Sequence, residues 1–355
     1  IQAAVVDLED QGVNKIILIS HLQSANEDLE LVPSLSGVDI VVAGGGDELL
    51  ANSRTRLLPG DEDDVDGDYP LFATDSDGVE VPVVTTSGSY EYVGRLQVQF
   101  NEAGEIVGID KSSSPVPVIG GSRDAAIESL VEAPVADAVA ELAATVVGST
   151  DIELDGTRAL VRTRETAYGS LIADAILAAA PGTADIAIAN GGGIRNSVVL
   201  AAGSDITRLD TFQTLPFSNF VFTLPGITPT RLLEVLENAV SNVENEDGRF
   251  AQVAGLSFSY DASQPAGSRI IDVDVGGTLY VDDGVPQAEA PLRLAIVNFL
   301  AGGGDGYPLD DIAPETSPTT YQKALEDYIG AITPVTAGDI GGTPRITCVG
   351  TACPS

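Results

Sequence analysis

Two glycine-rich stretches hold the residue types best suited to chemistry in this chain: Asn190-Gly-Gly-Gly-Ile-Arg195 and Asn298-Phe-Leu-Ala-Gly-Gly-Gly-Asp-Gly-Tyr307. Each follows a short apolar run, Ile186 to Ala189 and Leu294 to Val297, that reads as a buried strand. Successive glycines let backbone amides approach an anion or a sugar without side-chain interference, which makes Gly192 and Gly193 candidate contacts. Asn190 and Arg195 flank the first turn, and Phe299 and Asp305 belong to the second. An aromatic face beside amide, carboxylate and guanidinium suits a nucleoside or nucleotide. Stacking on a base contributes about 1–3 kcal/mol and tolerates different bases, and a guanidinium grips phosphate through two parallel charge-assisted hydrogen bonds. Either turn alone would pass as an ordinary strand end. The pair is the signal.

The charge balance sharpens it. The chain has 17 Lys and Arg against 53 Asp and Glu in 355 residues, a net charge of -36. Such a surface repels nucleic-acid polymers and anionic membranes, but local arginines still admit mononucleotides. It also suits salty surroundings, where ions screen the self-repulsion. No run of about 20 apolar residues spans a membrane. Met is absent and Ile1 opens the chain, which points to processing. Cys348 and Cys353, with four residues between them, fit a small disulfide loop and an oxidising compartment, extracellular or periplasmic.

From Arg162 to Tyr307 the order of motifs resembles the C-terminal, substrate-binding domain of the 5′-nucleotidase family, of the UDP-sugar hydrolase and ecto-5′-nucleotidase type. The matching pieces are Arg162-Thr-Arg-Glu-Thr-Ala-Tyr-Gly-Ser-Leu171, Asn190 to Arg195, Leu215-Pro-Phe-Ser-Asn219, Gly248-Arg-Phe-Ala-Gln-Val-Ala-Gly255, and Asn298 to Tyr307. The resemblance implies that Phe217 and Phe299 sandwich the base, that Asn190 and Asp305 hydrogen-bond base and ribose, and that Arg162 and Arg195 hold the phosphate end. The bland alternatives are that Phe217 or Phe299 belongs to the core and that Arg162 pairs with a carboxylate.

Upstream, Lys15-Ile-Ile-Leu-Ile-Ser-His21 and Gly37-Val-Asp-Ile-Val-Val-Ala-Gly-Gly-Gly-Asp47 resemble the end of the same family's metallophosphoesterase domain. There a strand ends in a metal-binding His, matched by His21, and a second runs into Gly-Gly-His-Ser-His or Gly-Gly-His-Ser-Asn. Here Gly45 takes the place of the second His, and Gly46-Asp47 replace the rest. The family's earlier Asp-x-His, Gly-Asp and Gly-Asn-His motifs have no counterpart in the sequence. The resemblance implies divalent metal ions, Zn²⁺, Mn²⁺ or similar. A two-metal centre needs several carboxylate and imidazole ligands, and the chain has one His, so His21 and Asp47 are expected to hold metal only incompletely. As a simpler alternative, His21 is a structural strand-end residue. The acidic stretch Asp61-Glu-Asp-Asp-Val-Asp-Gly-Asp68 tempts a calcium assignment, but it lacks EF-hand spacing and reads better as a solvated loop.

The expected class is α/β: a partial layered metallophosphoesterase-like domain over residues 1–118, a linker helix over 119–150, a mixed-sheet nucleotide-binding domain over 151–347, and a disulfide tail over 348–355. Helices are expected over Gln2 to Gln11, within Arg123 to Val147, over Tyr168 to Ala180, and from Thr228-Pro-Thr onward. Strands are expected at Lys15 to Ser20, Val38 to Val42, Val81 to Thr86, Tyr92 to Phe100, near Arg158 to Arg162, at Asn219 to Leu224, and through most of the remainder.

Three functions fit. The first is a secreted 5′-nucleotidase-family phosphohydrolase acting on nucleotide phosphomonoesters, this chain carrying the nucleotide-binding domain, with an associated N-terminal fragment as possible partner. The second is a non-catalytic nucleotide-binding module. The third is an extracellular structural or assembly protein that reuses the fold as a homo-oligomer or polymer.

Overall fold

A computed structural model of the chain describes residues 1–22, 24–121, 123–195, 198–340, 344–350 and 352–354. The chain divides into two compact units, Ile1–Ala125 and Ala126–Ser355. Both mix helices and strands. Among the described residues no helix is long and apolar enough to cross a membrane.

In the first unit, Ile17–Ile19, Ile40–Val42 and Glu80–Val84 lie parallel in that order, and Leu71–Thr74 joins Glu80–Val84 antiparallel. The helix Gln2–Asp10 contributes Val5 to the core, which also holds Val32, Val41, Val81 and Val83. Ser24 caps the helix Ala25–Leu31. The run expected as one strand from Tyr92 to Phe100 divides. Tyr92–Arg95 pairs with Ser114–Pro117, whereas Val98–Phe100 pairs with Ile106–Ile109. The chain changes partner between Arg95 and Val98, which no local alternation reveals. In the acidic loop, Asp61 Oδ2 accepts the Tyr92 hydroxyl at 2.5 Å and Asp66 Oδ2 accepts the Leu49 amide at 2.9 Å. These two carboxylates therefore tie the loop to its surroundings.

The helical stretch expected within Arg123 to Val147 consists of Ala125–Ile127, a π turn at Glu128–Glu132, and Ala133–Ala144; Val146–Ser149 is already a strand. The second unit is built on a five-stranded mixed sheet ordered Ala251–Ala254, Ile186–Asn190, Leu292–Val297, Phe220–Ile227, Glu315–Thr320. All five residues of Ile186–Asn190 are buried, as a strand with both faces covered requires. The helix Ala167–Ala178 packs on it, capped by Thr166 Oγ1 accepting the Gly169 amide at 2.9 Å. Thr228 caps Pro229–Val240, with proline at its first position where no amide is needed. A second five-stranded sheet is ordered Val285–Pro286, Thr278–Asp282, Ile270–Val275, Ser257–Asp261 and Ile346–Val349, and two short pairs, Val146–Ser149 with Asp205–Thr207 and Leu154–Asp155 with Val199–Leu200, complete the described sheets of the unit. Cys348, in its last strand, is disulfide-bonded to Cys353.

Two further expectations fail. Arg158–Val161 is a helical turn, not a strand. Asp155 Oδ1 accepts the Thr157 amide at 2.8 Å and starts a turn, which Arg, Ala and Leu continue as helix formers. The remainder is not mostly strand either, since Tyr321–Ile332 is a twelve-residue helix capped by Thr320.

Candidate functional site

The two glycine turns meet. Asn190 ends its strand, and its side-chain amide donates to Asp305 Oδ2 at 2.6 Å. Asp305 sits at φ 53°, in the left-handed region, a costly place for a residue other than glycine. It is held there by Asn190 and by Asn238, whose side-chain amide donates to the Asp305 carbonyl at 3.1 Å. Burial pushes the Asp305 carboxyl above the usual carboxylate range, and the nearby Asp247 adds to this. Tyr307 anchors the far end of the turn, its hydroxyl donating to the Arg249 carbonyl at 2.8 Å.

The glycines let neighbouring segments pack closely. The Gly191 amide donates to the Phe250 carbonyl and the Gly192 amide to the Gly248 carbonyl, each at 2.7 Å. Two of the three amides are therefore committed to backbone. A side-chain carbon at Gly191 would lie 2.4 Å from the Val161 carbonyl oxygen, one at Gly192 2.9 Å from Gly248 Cα, and one at Gly193 2.9 Å from Asn190 Oδ1. The triplet lets three segments close on one another around Asn190.

Phe217 and Phe299 are each 45% exposed, so neither is a core residue. The Arg195 guanidinium lies 5.6 Å from the Phe217 ring centroid, in reach of a cation–π contact. The Phe217 amide donates to the Tyr321 hydroxyl at 3.1 Å, and that hydroxyl lies 3.4 Å from the Gly193 carbonyl, tying the aromatic turn to the glycine turn. Phe299 lies across Gly304, where a side-chain carbon would come within 2.5 Å of the ring. Asn298 turns its Oδ1 to the Phe220 amide at 2.7 Å.

A cavity of about 480 Å³ opens beside Arg195, walled by Arg158 and Arg162 and by Phe212, Gln213 and Pro216. Arg162 is 7% exposed, and its Nη1 donates to the Glu246 carbonyl at 3.3 Å while its buried Nε has no partner. Among the described residues it has no carboxylate partner in an ion pair, the alternative weighed from sequence. Burial, then the neighbouring Arg158 and Arg195, lower its pKa. Sequence reasoning missed Arg158 and Phe212. The signal for Arg158 was its position four residues before Arg162 in a chain poor in basic residues; for Phe212 there was none.

His21 and Asp47 lie in the other unit, and both are exposed. Gly45 has φ 95°, and a side-chain carbon there would come within 1.9 Å of the Leu22 carbonyl oxygen, so the backbone itself bars a histidine at this position. The Glu48 carboxylate folds back over Gly46, its Oε1 accepting the Ala25 amide at 2.9 Å. Asp28 Oδ2 accepts the Ser20 hydroxyl at 3.0 Å. Glu48 Oε2 and Asp28 Oδ1 are buried without a partner. Even so, no three His, Cys, Asp or Glu among the described residues gather into a group that could hold a metal. The donors present do not fit a two-metal centre.

Residues 146–310 match the family model described as 5′-nucleotidase, C-terminal domain. The chain is 33% identical over 303 residues to the trifunctional nucleotide phosphoesterase protein YfkN of Bacillus subtilis (strain 168), covering 84% of this chain and 19% of that protein. It is 32% identical over 337 residues to the snake venom 5′-nucleotidase of Macrovipera lebetinus, covering 90% of this chain and 79% of that one. Among solved structures, the 5′-nucleotidase precursor from Thermus thermophilus is similar at a TM-score of 0.64 and 32% identity, over 99% of this chain and 67% of that one. The chain thus spans from 19% to 79% of the length of these two curated relatives. With identity above 30% sustained over most of both chains, it belongs to the 5′-nucleotidase family.

Proposed function

We propose that residues 151–347 form the nucleotide-binding domain of a secreted 5′-nucleotidase-family phosphohydrolase that acts on nucleotide phosphomonoesters. The carrying observation is the convergence of Asn190 and Asp305 at one point, with Arg195 over the exposed Phe217 ring. In this reading Phe217 and Phe299 clamp the base, Asp305 and Asn190 take ribose and base, and Arg162 and Arg195 take the phosphate. Gly192 and Gly193 shape the floor by letting the backbone close. A half-exposed ring supplies a stacking face that water covers until a base displaces it. A desolvated guanidinium with an unmade hydrogen bond gains most from an anion. The disulfide and the acidic surface support an extracellular or periplasmic setting.

The divalent ions that the family uses would need donors beyond His21 and Asp47, so this chain carries an incomplete metal site and binding is its own share of the work. Calorimetry with AMP and adenosine, with phosphate release followed in the same sample plus Mn²⁺ or Zn²⁺, tests this. Binding without release is expected. Release by this chain would overturn the incomplete site, and absence of binding would overturn the pocket.

A further inference from the structure

The first unit holds a groove that the nucleotide reading leaves unused. It measures about 1090 Å³ and is lined by residues between Glu9 and Ile109, above the range of about 300–1,000 Å³ in which small-molecule pockets fall. One wall is the strand Ile106–Ile109, all four of whose residues line the groove. Neighbouring residues of a strand point to opposite faces, so a groove lined by four in succession runs along the strand's edge. That edge is open, because the strand's one ladder partner among the described strands is Val98–Phe100. The ladder pairs Gln99 with Gly108 and Phe100 with Ile106, which leaves Val107 as an exposed bulge. Phe72 and Val79, also exposed, line the groove from the outer strand Leu71–Thr74 and from the turn that follows it. An open edge accepts a further strand, and three exposed apolar side chains beside it give that strand something to bury.

The charge of the walls selects the occupant. Glu9, Asp39, Asp75, Asp77, Glu80 and Glu105 line the groove, and no Lys or Arg is among its described lining residues. Asp39 Oδ2 accepts the Ile16 amide at 2.6 Å, and Asp75 Oδ1 accepts the Asp77 and Val79 amides at 3.0 and 2.8 Å, so these two brace the walls. Glu9, Asp77, Glu80 and Glu105 are exposed, and none is in an ion pair among the described residues. Lys15 turns its ammonium over the Phe100 ring, 5.5 Å from the centroid, instead of lining the groove. A cleft lined by one sign of charge focuses the field and draws in the opposite sign. A small cation would satisfy the carboxylates but leave Phe72, Val79 and Val107 in water. A second copy of this chain, at a net charge of -36, would be repelled.

We propose that the groove along Ile106–Ile109 binds an extended cationic segment of a partner protein. The segment adds to the open edge as a strand, with apolar side chains against Val107, Phe72 and Val79 and lysines or arginines against the exposed carboxylates. This inference is independent of the nucleotide-binding reading.

Fluorescence polarisation on the full chain with a labelled peptide that alternates lysine and valine tests it, beside peptides alternating lysine with glycine and glutamate with valine, all at about 0.15 M NaCl. The lysine–valine peptide is expected to bind at least tenfold more tightly than either of the others. Val107→Lys is expected to weaken it at least tenfold and Asp77→Lys at least fivefold. Asp282→Lys, which changes the charge as Asp77→Lys does but in the second unit, is expected to shift it less than twofold. All three positions are exposed, and melting curves check that each variant is folded; should Val107→Lys unfold, Asp77→Lys decides alone. Equal affinities for the lysine–valine and lysine–glycine peptides, or an equal loss in Asp282→Lys, would show attraction to the acidic surface at large and overturn the proposal. Absence of binding would overturn it too, as would self-association in the ultracentrifuge that Val107→Lys abolishes, which would give the groove to a second copy.

Discussion

The Asn190 side-chain amide donates to Asp305 Oδ2 at 2.6 Å, joining two turns that lie 115 positions apart in sequence. Asn190 is only 5% exposed, so removal of its partner leaves a buried donor unmet, at a cost of about 1–3 kcal/mol. Asp305→Ala is therefore expected to lower unfolding free energy by that amount and to weaken adenosine binding at least tenfold. Urea titration and calorimetry on the same variant check both. Loss of stability with affinity intact would mean that the pair only braces the turn.

Binding and stability should respond to pH in opposite directions at Asp305. Its carboxyl is raised above the ordinary value of about 3.9, chiefly by burial and then by Asp247. With a raised folded-state pKa, the native protein holds the proton more tightly than the unfolded chain does. The stabilisation this group provides is therefore present below the unfolded value and lost as pH rises through the folded one. In the proposed reading a ribose hydroxyl donates to Asp305, and the ionised carboxylate is the stronger acceptor. Adenosine affinity is thus expected to fall as pH drops through a window above the usual carboxylate range, and Asp305→Asn should flatten that profile.

Phe217 and Phe299 are both half-exposed, so their truncation removes little core packing. If they clamp the base at about 1–3 kcal/mol each, Phe217→Ala with Phe299→Ala weakens nucleoside binding by more than tenfold while the melting temperature changes little. Unchanged affinity in the double variant would sink the assignment of the clamp.

How far the sequence foretold this site depended on whether the determining contact was local. Ile186 to Ala189 and the helix beginning near Tyr168 were legible because burial on both faces and helical periodicity are written into consecutive residues. The role of the glycine triplet was not, because it is set by Gly248, Phe250 and Val161, which are distant in sequence. The strand expected near Arg158 to Arg162 fails for a similar reason: the turn is started by Asp155, outside that stretch. Gly45 showed that an imidazole was missing, but only the backbone shows that Leu22 leaves no room for one.

Salt should stabilise this protein more than a neutral co-solute does. At a net charge of -36, repulsion between surface carboxylates opposes the compact state. The screening length falls from about 10 Å at 0.1 M salt to about 3 Å at 1 M. The melting temperature is expected to rise over that range of NaCl by more than in sucrose of equal osmolality, which isolates the charge effect from general exclusion. Equal shifts in the two series would show that the acidic surface does not limit stability.

Gln252 is fully buried and joins the segment that presents Arg162 to the rest of the sheet. Its amide donates to the Val161 carbonyl at 3.0 Å and to the Arg164 carbonyl at 2.7 Å, and its Oε1 accepts the Thr166 amide at 3.2 Å. These partners bracket Arg162 on both sides. Gln252→Leu keeps the bulk but leaves three backbone groups without their partner, each at a cost of about 1–3 kcal/mol. The variant is expected to lose about 3 kcal/mol or more of stability and, where still folded, to bind AMP more weakly than wild type while adenosine affinity changes little. In the proposed reading, in which Arg162 takes the phosphate, that split follows because its guanidinium is displaced while the Phe217 and Asp305 elements stay in place. Parallel losses of AMP and adenosine binding would instead place Gln252 in support of the whole pocket rather than of Arg162.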